Sequence, residues 1–190
     1  MLKKLLRSKV FIGTVIGLFL FIVSGYLLSD DLFFKRTISE NNIRTPEEAF
    51  AFVDNRTDYL TKDMNVVLGN TPRYMLTEQK YLYCDQSAIL MATIVDKLGY
   101  ETRLVDLVGE DDGVSHHTIL EVHQNGSWKT YDTTYNLQGR PYQESAKYYE
   151  SGQYYNARPV YRPYPTFYNR VIQNNVYLKH LALWLRGVPC

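Results

Sequence analysis

The chain has 190 residues, 21 of them Lys or Arg and 20 Asp or Glu, with 45% hydrophobic residues and two cysteines. That length suits one domain with at most an appendage, and the composition excludes a disordered or fibrous chain. A formal net charge of +1 gives no concentrated basic face for nucleic acid, and two cysteines without a Cys/His cluster exclude a disulfide framework and a zinc site.

Residues 10–28, VFIGTVIGLFLFIVSGYLL, carry no charge. As a helix they span about 28 Å, close to the thickness of a hydrocarbon core. Lys3, Lys4, Arg7 and Lys9 precede this run, and Asp30 and Asp31 follow it. The positive-inside rule then makes 1–9 a cytoplasmic basic segment and 10–28 a signal anchor, with the remainder outside, periplasmic or extracellular. A cleaved signal peptide is the competing reading. Its apolar stretch is normally shorter and ends on small residues, whereas Tyr26, Leu27 and Leu28 carry the run past Ser24 and Gly25. Outside the cytoplasm thiols tend to pair, so an unpaired Cys84 there calls for an explanation, and Cys190 is the sole candidate partner.

Residues 29–44 read as a juxtamembrane linker. Thr45-Pro46-Glu47-Glu48 is a helix start, with Thr45 as N-cap, Pro46 at the first position and Glu48 closing a capping box. That helix is expected to reach about Tyr59, and Asn70-Thr71-Pro72 to form a loop. A second helix begins near Cys84, since Ala88, Met91, Val95 and Leu98 recur at spacings of 3 and 4, and Gly99 suits its C-terminal stop. Candidate strands follow at 101–108, 118–123 and 128–132. Residues 109–113 make the first turn between them, and Asn125-Gly126 gives the strongest hairpin signal in the chain. Helices followed by antiparallel strands make an α+β domain over 45–140. Residues 141–190 are a Tyr-rich extension, holding Tyr148, Tyr149, Tyr154, Tyr155, Tyr161, Tyr164 and Tyr168. They are expected to pack on the core, or else to recognise sugars or extended peptides. Residues 176–186 suggest a short helix.

The apolar stripe of the second helix, extended backwards, reaches Cys84. A cysteine in a first helical turn meets unpaired N–H groups and the positive dipole end, which favour a thiolate and suit an oxyanion. If Asn125 and Gly126 form a two-residue turn, residue i pairs with residue 251 − i. Side-chain alternation then puts His117 and Asp132 on one face as diagonal neighbours. His116 falls on the opposite face with Lys129 and Tyr131. A three-residue turn would reverse that parity and bring His116 to the Asp132 side. Nucleophile, imidazole and orienting carboxylate together have the logic of a thiol triad.

The stretch YLYCDQSAILMATIVDKLGYETRLV, followed by HTILEV and WKTYD, resembles the transglutaminase-like superfamily of cysteine enzymes. The match covers about residues 75–136, with Gly99, Arg103 and Trp128 in place. It implies a papain/transglutaminase-like core, a nucleophile helix packed on an antiparallel sheet. It makes Cys84 the nucleophile, His117 the general base and acid, and Asp132 the orienting group. It implies no metal and no organic cofactor. Many relatives carry Gly two residues before the Cys; Leu82 stands there in this chain, between Tyr81 and Tyr83. Tyr81 or Tyr83 either donates to the oxyanion or packs beside the cleft, Asp85 complements the helix dipole, and Arg103 is structural. The activity implied is cleavage of an amide, peptide or ester bond through an acyl-thioester. The substrate would be a protein, peptide or other amide-bearing molecule at the cell envelope. Transfer to an amine, or a non-catalytic membrane-tethered binding or assembly module of the same fold, are the alternatives.

Overall fold

The computed structural model describes residues 9–59, 71–79, 81–150 and 157–164. Five helices and seven strands lie within them. The helices are α1 (Lys9–Glu40), α2 (Pro46–Asp54), α3 (Pro72–Thr77), α4 (Cys84–Lys97) and α5 (Tyr142–Glu150). The strands are β1 (Asp58–Tyr59), β2 (Tyr81–Leu82), β3 (Thr102–Gly109), β4 (Ser115–Gln124), β5 (Ser127–Asp132), β6 (Leu137–Arg140) and β7 (Ala157–Tyr164). Strands β6-β5-β4-β3-β7 form an antiparallel sheet in that order, and β1 and β2 make a small parallel pair. The class is α+β, with a cysteine-headed helix laid on an antiparallel sheet.

Both faces of the sheet are covered. Leu104, Leu120, Val122 and Tyr131 pack with Met91, Ile94 and Val95 of α4 in the larger core. Val105, Leu107, Ile119 and Leu137 pack with Tyr149 of α5 on the opposite face. This explains why consecutive residues of β3 and of the middle of β4 are buried instead of alternating with exposed ones. Edge strand β7 carries Pro159 and Pro163, which lack the N–H that a further strand would need.

Local chemistry sets the ends of several elements. Thr45 Oγ1 accepts from Glu48 N at 3.2 Å, while the Glu48 carboxylate accepts from Thr45 N at 3.1 Å, so the anticipated capping box forms. Gly99 has φ +89°, and Tyr100 N bonds Val95 O while Gly99 N bonds Asp96 O, the two bonds of a Schellman stop.

Three expectations change. The helix opened by Thr45 ends at Asp54, and Asp58–Tyr59 is the short strand β1. Thr71 and Pro72 start a one-and-a-half-turn helix instead of a loop, because Thr71 Oγ1 accepts from Tyr74 N and caps it. The greatest difference concerns residues 29–44, which are mostly helix: α1 continues without a break from the apolar run to Glu40. Its last three turns dock on the domain. Phe34 is 2% exposed in the larger core, Lys97 Nζ meets Asp31 at 2.6 Å, and the Arg73 guanidinium lies 4.7 Å from the Phe33 ring centroid. Burial outweighs the Arg73 and Lys97 charges at Asp30 and pushes its carboxyl up to about 6. The apolar part of α1 is long and apolar enough to cross a membrane, by length and composition. The suggested helix at 176–186, Cys190, Tyr154, Tyr155 and Tyr168 lie outside the described residues.

Candidate active site

Cys84 is the first residue of α4. Tyr83 before it is extended (φ −75°, ψ 165°), and its N–H donates to Gln86 Oε1 at 3.0 Å. The first hydrogen bond of the helix runs from Ser87 N to Tyr83 O at 2.9 Å. The N–H groups of Cys84, Asp85 and Gln86 thus belong to the turn that has no intrahelical acceptors. Ala88, Met91 and Val95 are buried and Leu98 packs against the core, which orients the Cys84 edge of the stripe toward the sheet. The thiol is free and half-buried.

The hairpin has the register that the Asn-Gly turn dictates. Asn125 (φ 50°) and Gly126 (φ 76°) both take left-handed angles, and Leu120 pairs with Tyr131, Glu121 with Thr130 and Val122 with Lys129. His117 and Asp132 consequently meet on one face, with His117 Nε2 2.7 Å from Asp132 Oδ2. Both side chains are almost fully buried. Cys84 lines the same cleft as this imidazole and lies near enough to act on its titration. Burial acts to lower the His117 pKa, but the hydrogen-bonded Asp132 carboxylate, with Cys84 nearby, outweighs burial and pushes it up to about 9.

His116 does not share a face with Lys129 and Tyr131. The β3–β4 ladder shifts register between Leu107, which pairs with His117, and Val108, which pairs with Ser115. His116 is the extra residue of that bulge, and its exposed ring reaches back to Asp112 at 2.9 Å. The pair closes over Gly109, where a Cβ would come within 2.8 Å of His116 Nε2 and 2.5 Å of Asp112 Oδ1. A side chain at 109 would displace it.

A cleft of about 380 Å³ opens at the Cys84 end of α4. Tyr83, Asp85, His116 and His117 contribute to its walls, and Asp106 and Arg162 complete it. Tyr81 does not line it; that residue is exposed on β2, beside Asp58 of β1. Arg103 lies elsewhere and has the structural role expected of it. It pairs with the buried Glu121 at 2.6 Å, and its guanidinium sits 4.0 Å from the Trp128 ring centroid and 4.2 Å from that of Tyr161. Burial pushes the Glu121 carboxyl up, and Arg103 partly offsets that.

Sequence reasoning missed the groups that hold Asp132. Tyr149 of α5 donates its hydroxyl to Asp132 Oδ2 at 2.8 Å, and Thr134 N donates to Oδ1 at 2.9 Å. The Tyr149 ring lies 5.7 Å from the His117 ring, and Tyr135 meets His117 edge-on at 5.4 Å. The two tyrosines shield the imidazole–carboxylate pair from water. Burial and the Asp132 charge push the Tyr149 hydroxyl pKa far up, so it remains a donor. Thr134 and Tyr135 lie two and three residues after Asp132, so a tight turn after the orienting residue was the available clue. Tyr149, in the Tyr-rich extension, had no local signal.

No family model matches the chain, and no curated protein matches it in sequence. Eleven solved chains match it in structure. One is a candidate cysteine protease from Cytophaga hutchinsonii, with 19% identity over 59% of this chain and a TM-score of 0.44. The present chain spans 39% of that protein. Legionella pneumophila LapG is matched in two structures. One covers 78% of this chain and 85% of LapG, with 11% identity and a TM-score of 0.48. The other, calcium-bound, covers 75% of this chain and 78% of LapG, with 14% identity and a TM-score of 0.45.

Proposed function

We propose that the protein is a membrane-anchored cysteine hydrolase that cleaves an amide, peptide or ester bond, with α1 as the anchor and the domain outside the cytoplasm. The observation that carries this reading is the convergence of Cys84, His117 and Asp132, from three elements, beside an open cleft.

In this mechanism the Cys84 thiolate attacks the carbonyl carbon, and the oxyanion forms against the unpaired N–H groups of the first turn of α4. The imidazolium of His117 gives its proton to the leaving amine or alcohol as the carbon–heteroatom bond breaks, which leaves an acyl-thioester. Neutral His117 then takes a proton from water as the water attacks the thioester. The acid departs, and the thiolate–imidazolium pair is restored. Asp132 keeps Nε2 protonated and the ring oriented throughout.

The test is iodoacetamide alkylation of Cys84 in the full chain in detergent, followed by mass spectrometry of the peptide that contains it. At neutral pH the rate should fall about tenfold or more in His117→Ala, the order expected when an activating partner is lost. Equal, slow rates in both proteins would mark a structural cysteine and support the binding-module reading. A reporter fused after Cys190 tests the topology; a cytoplasmic signal would overturn it.

A further inference from the structure

The face of the sheet that α4 covers is apolar along Leu104, Leu120, Val122 and Tyr131. Beyond the Cys84 end of the helix the same face turns polar. Asp106 on β3 lies opposite Thr118 on β4, and Arg162 on β7 pairs with Leu104, one step along the face from Asp106. Thr118 Oγ1 donates to Asp106 Oδ1 at 2.7 Å, and Arg162 Nη2 donates to the same oxygen at 2.7 Å. Arg162 Nε completes the fork on Asp106 Oδ2. Asp106 and Thr118 are buried, whereas the Arg162 side chain is 47% exposed and lines the cleft with Cys84.

Stability alone gives weak grounds for this row. Burying a carboxylate costs desolvation, and apolar residues of similar volume usually hold a fold as well as a buried pair. The row does fix one thing, the direction of the guanidinium. Asp106 is anchored by Thr118 and grips Arg162 side-on through Nε and Nη2. The end-on edge, with one hydrogen each from Nη1 and Nη2, has no partner among the described residues. A guanidinium held side-on by one carboxylate presents a flat pair of donors that matches a second carboxylate in bidentate geometry. Its side-chain entropy is already lost before anything binds.

We propose that Arg162 is the specificity-determining residue of this cleft and that its end-on edge receives a carboxylate of the substrate next to the scissile bond. This rests on the hydrolase reading. Asp85, on the wall formed by the start of α4, disfavours a second acidic group, so the preference belongs to one substrate position.

The test uses the full chain in detergent and a set of peptidyl acyloxymethyl ketones. In these probes the Cys84 thiolate displaces the carboxylate leaving group and forms a thioether. The one, two or three residues before the ketone are varied in turn among Glu, Gln, Lys and Leu. At one position Glu should label Cys84 about tenfold faster than Gln, the scale of one charge-assisted bidentate contact. Arg162→Gln should erase that ratio. Arg162→Lys, which keeps the charge and loses the planar edge, should lose most of it. Equal Glu and Gln rates in the wild-type protein, or a Glu preference that survives Arg162→Gln, would overturn the proposal and leave the hydrolase reading standing. If no probe labels Cys84 and iodoacetamide also reacts slowly, the hydrolase reading fails and the carboxylate subsite falls with it.

Discussion

In the proposed hydrolase, His117 is the residue on which the chemistry turns. Its buried ring is bonded to Asp132 and shares a cleft with Cys84, and its pKa stands at about 9 against an ordinary 6.5. Such a group protonates leaving groups well below pH 9 and fails above it, so cleavage of an aminocoumarin amide by Cys84 should show an alkaline limb near pH 9. A limb at the ordinary histidine value would refute the ion-pair picture. Linkage predicts a matching change in stability. A raised pKa contributes stability fully below 6.5, and the contribution is lost as pH rises through 9. Denaturant unfolding of the wild type and His117→Gln should therefore show a gap that narrows between pH 6 and pH 10. Tyr149 acts through Asp132 and is a positioning residue. Tyr149→Phe keeps the ring and removes one of the two donors on Oδ2. The carboxylate oxygen then serves His117 alone, so the alkaline limb should move upward while the fold loses about 1 kcal/mol. A residue that only packs would leave the limb in place.

Among the elements, α4 and the β4–β5 hairpin were legible in the sequence, for a local reason. Alternation and the 3.6-residue period are properties of neighbours in the chain, and Asn125-Gly126 is compatible with very few turns. A two-residue turn sets parity, and parity put His117 and Asp132 together before any tertiary contact was considered. The same logic makes the turn a sensitive point. Gly126 has φ +76°, so Gly126→Val should cost roughly 1 kcal/mol or more and lower the alkylation rate of Cys84 through a loosened register. Unchanged melting and alkylation would show that the turn does not hold the register. The bulge that throws His116 outward was not legible, because the expected strand began at 118 and nothing local in Ser115, His116 and His117 marks an extra residue. Its cause is the fit of β4 against β3 where the ladder shifts between Leu107 and Val108. Helix α3 shows the opposite lesson: Thr71-Pro72 had the chemistry of a capped helix start, and Asn70 beside it suggested a loop.

At the scale of the molecule, the continuous α1 joins an apolar stretch to the folded domain. Its apolar turns suit a bilayer, and its last turns enter the core through Phe34 and the Asp31–Lys97 pair. The domain therefore packs on the end of this helix instead of following it through a flexible tether. Phe34→Ala should destabilise the domain by roughly 3–5 kcal/mol, the cost of emptying a buried aromatic site. Thermal unfolding of the full chain in detergent measures it, and an unchanged midpoint would mean that α1 does not dock. Periodicity, turn residues and the apolar run are local, and by themselves they determined the α+β class, Cys84 at a helix start, the face shared by His117 and Asp132, and the candidate membrane span. The tertiary structure alone decided that residues 29–40 belong to the core and that Tyr149 backs the carboxylate. It alone placed Asp106, Thr118 and Arg162 in one row beside the thiol. Those groups come from strands and helices far apart in the chain. No spacing marks them, because their association is set by how the layers pack.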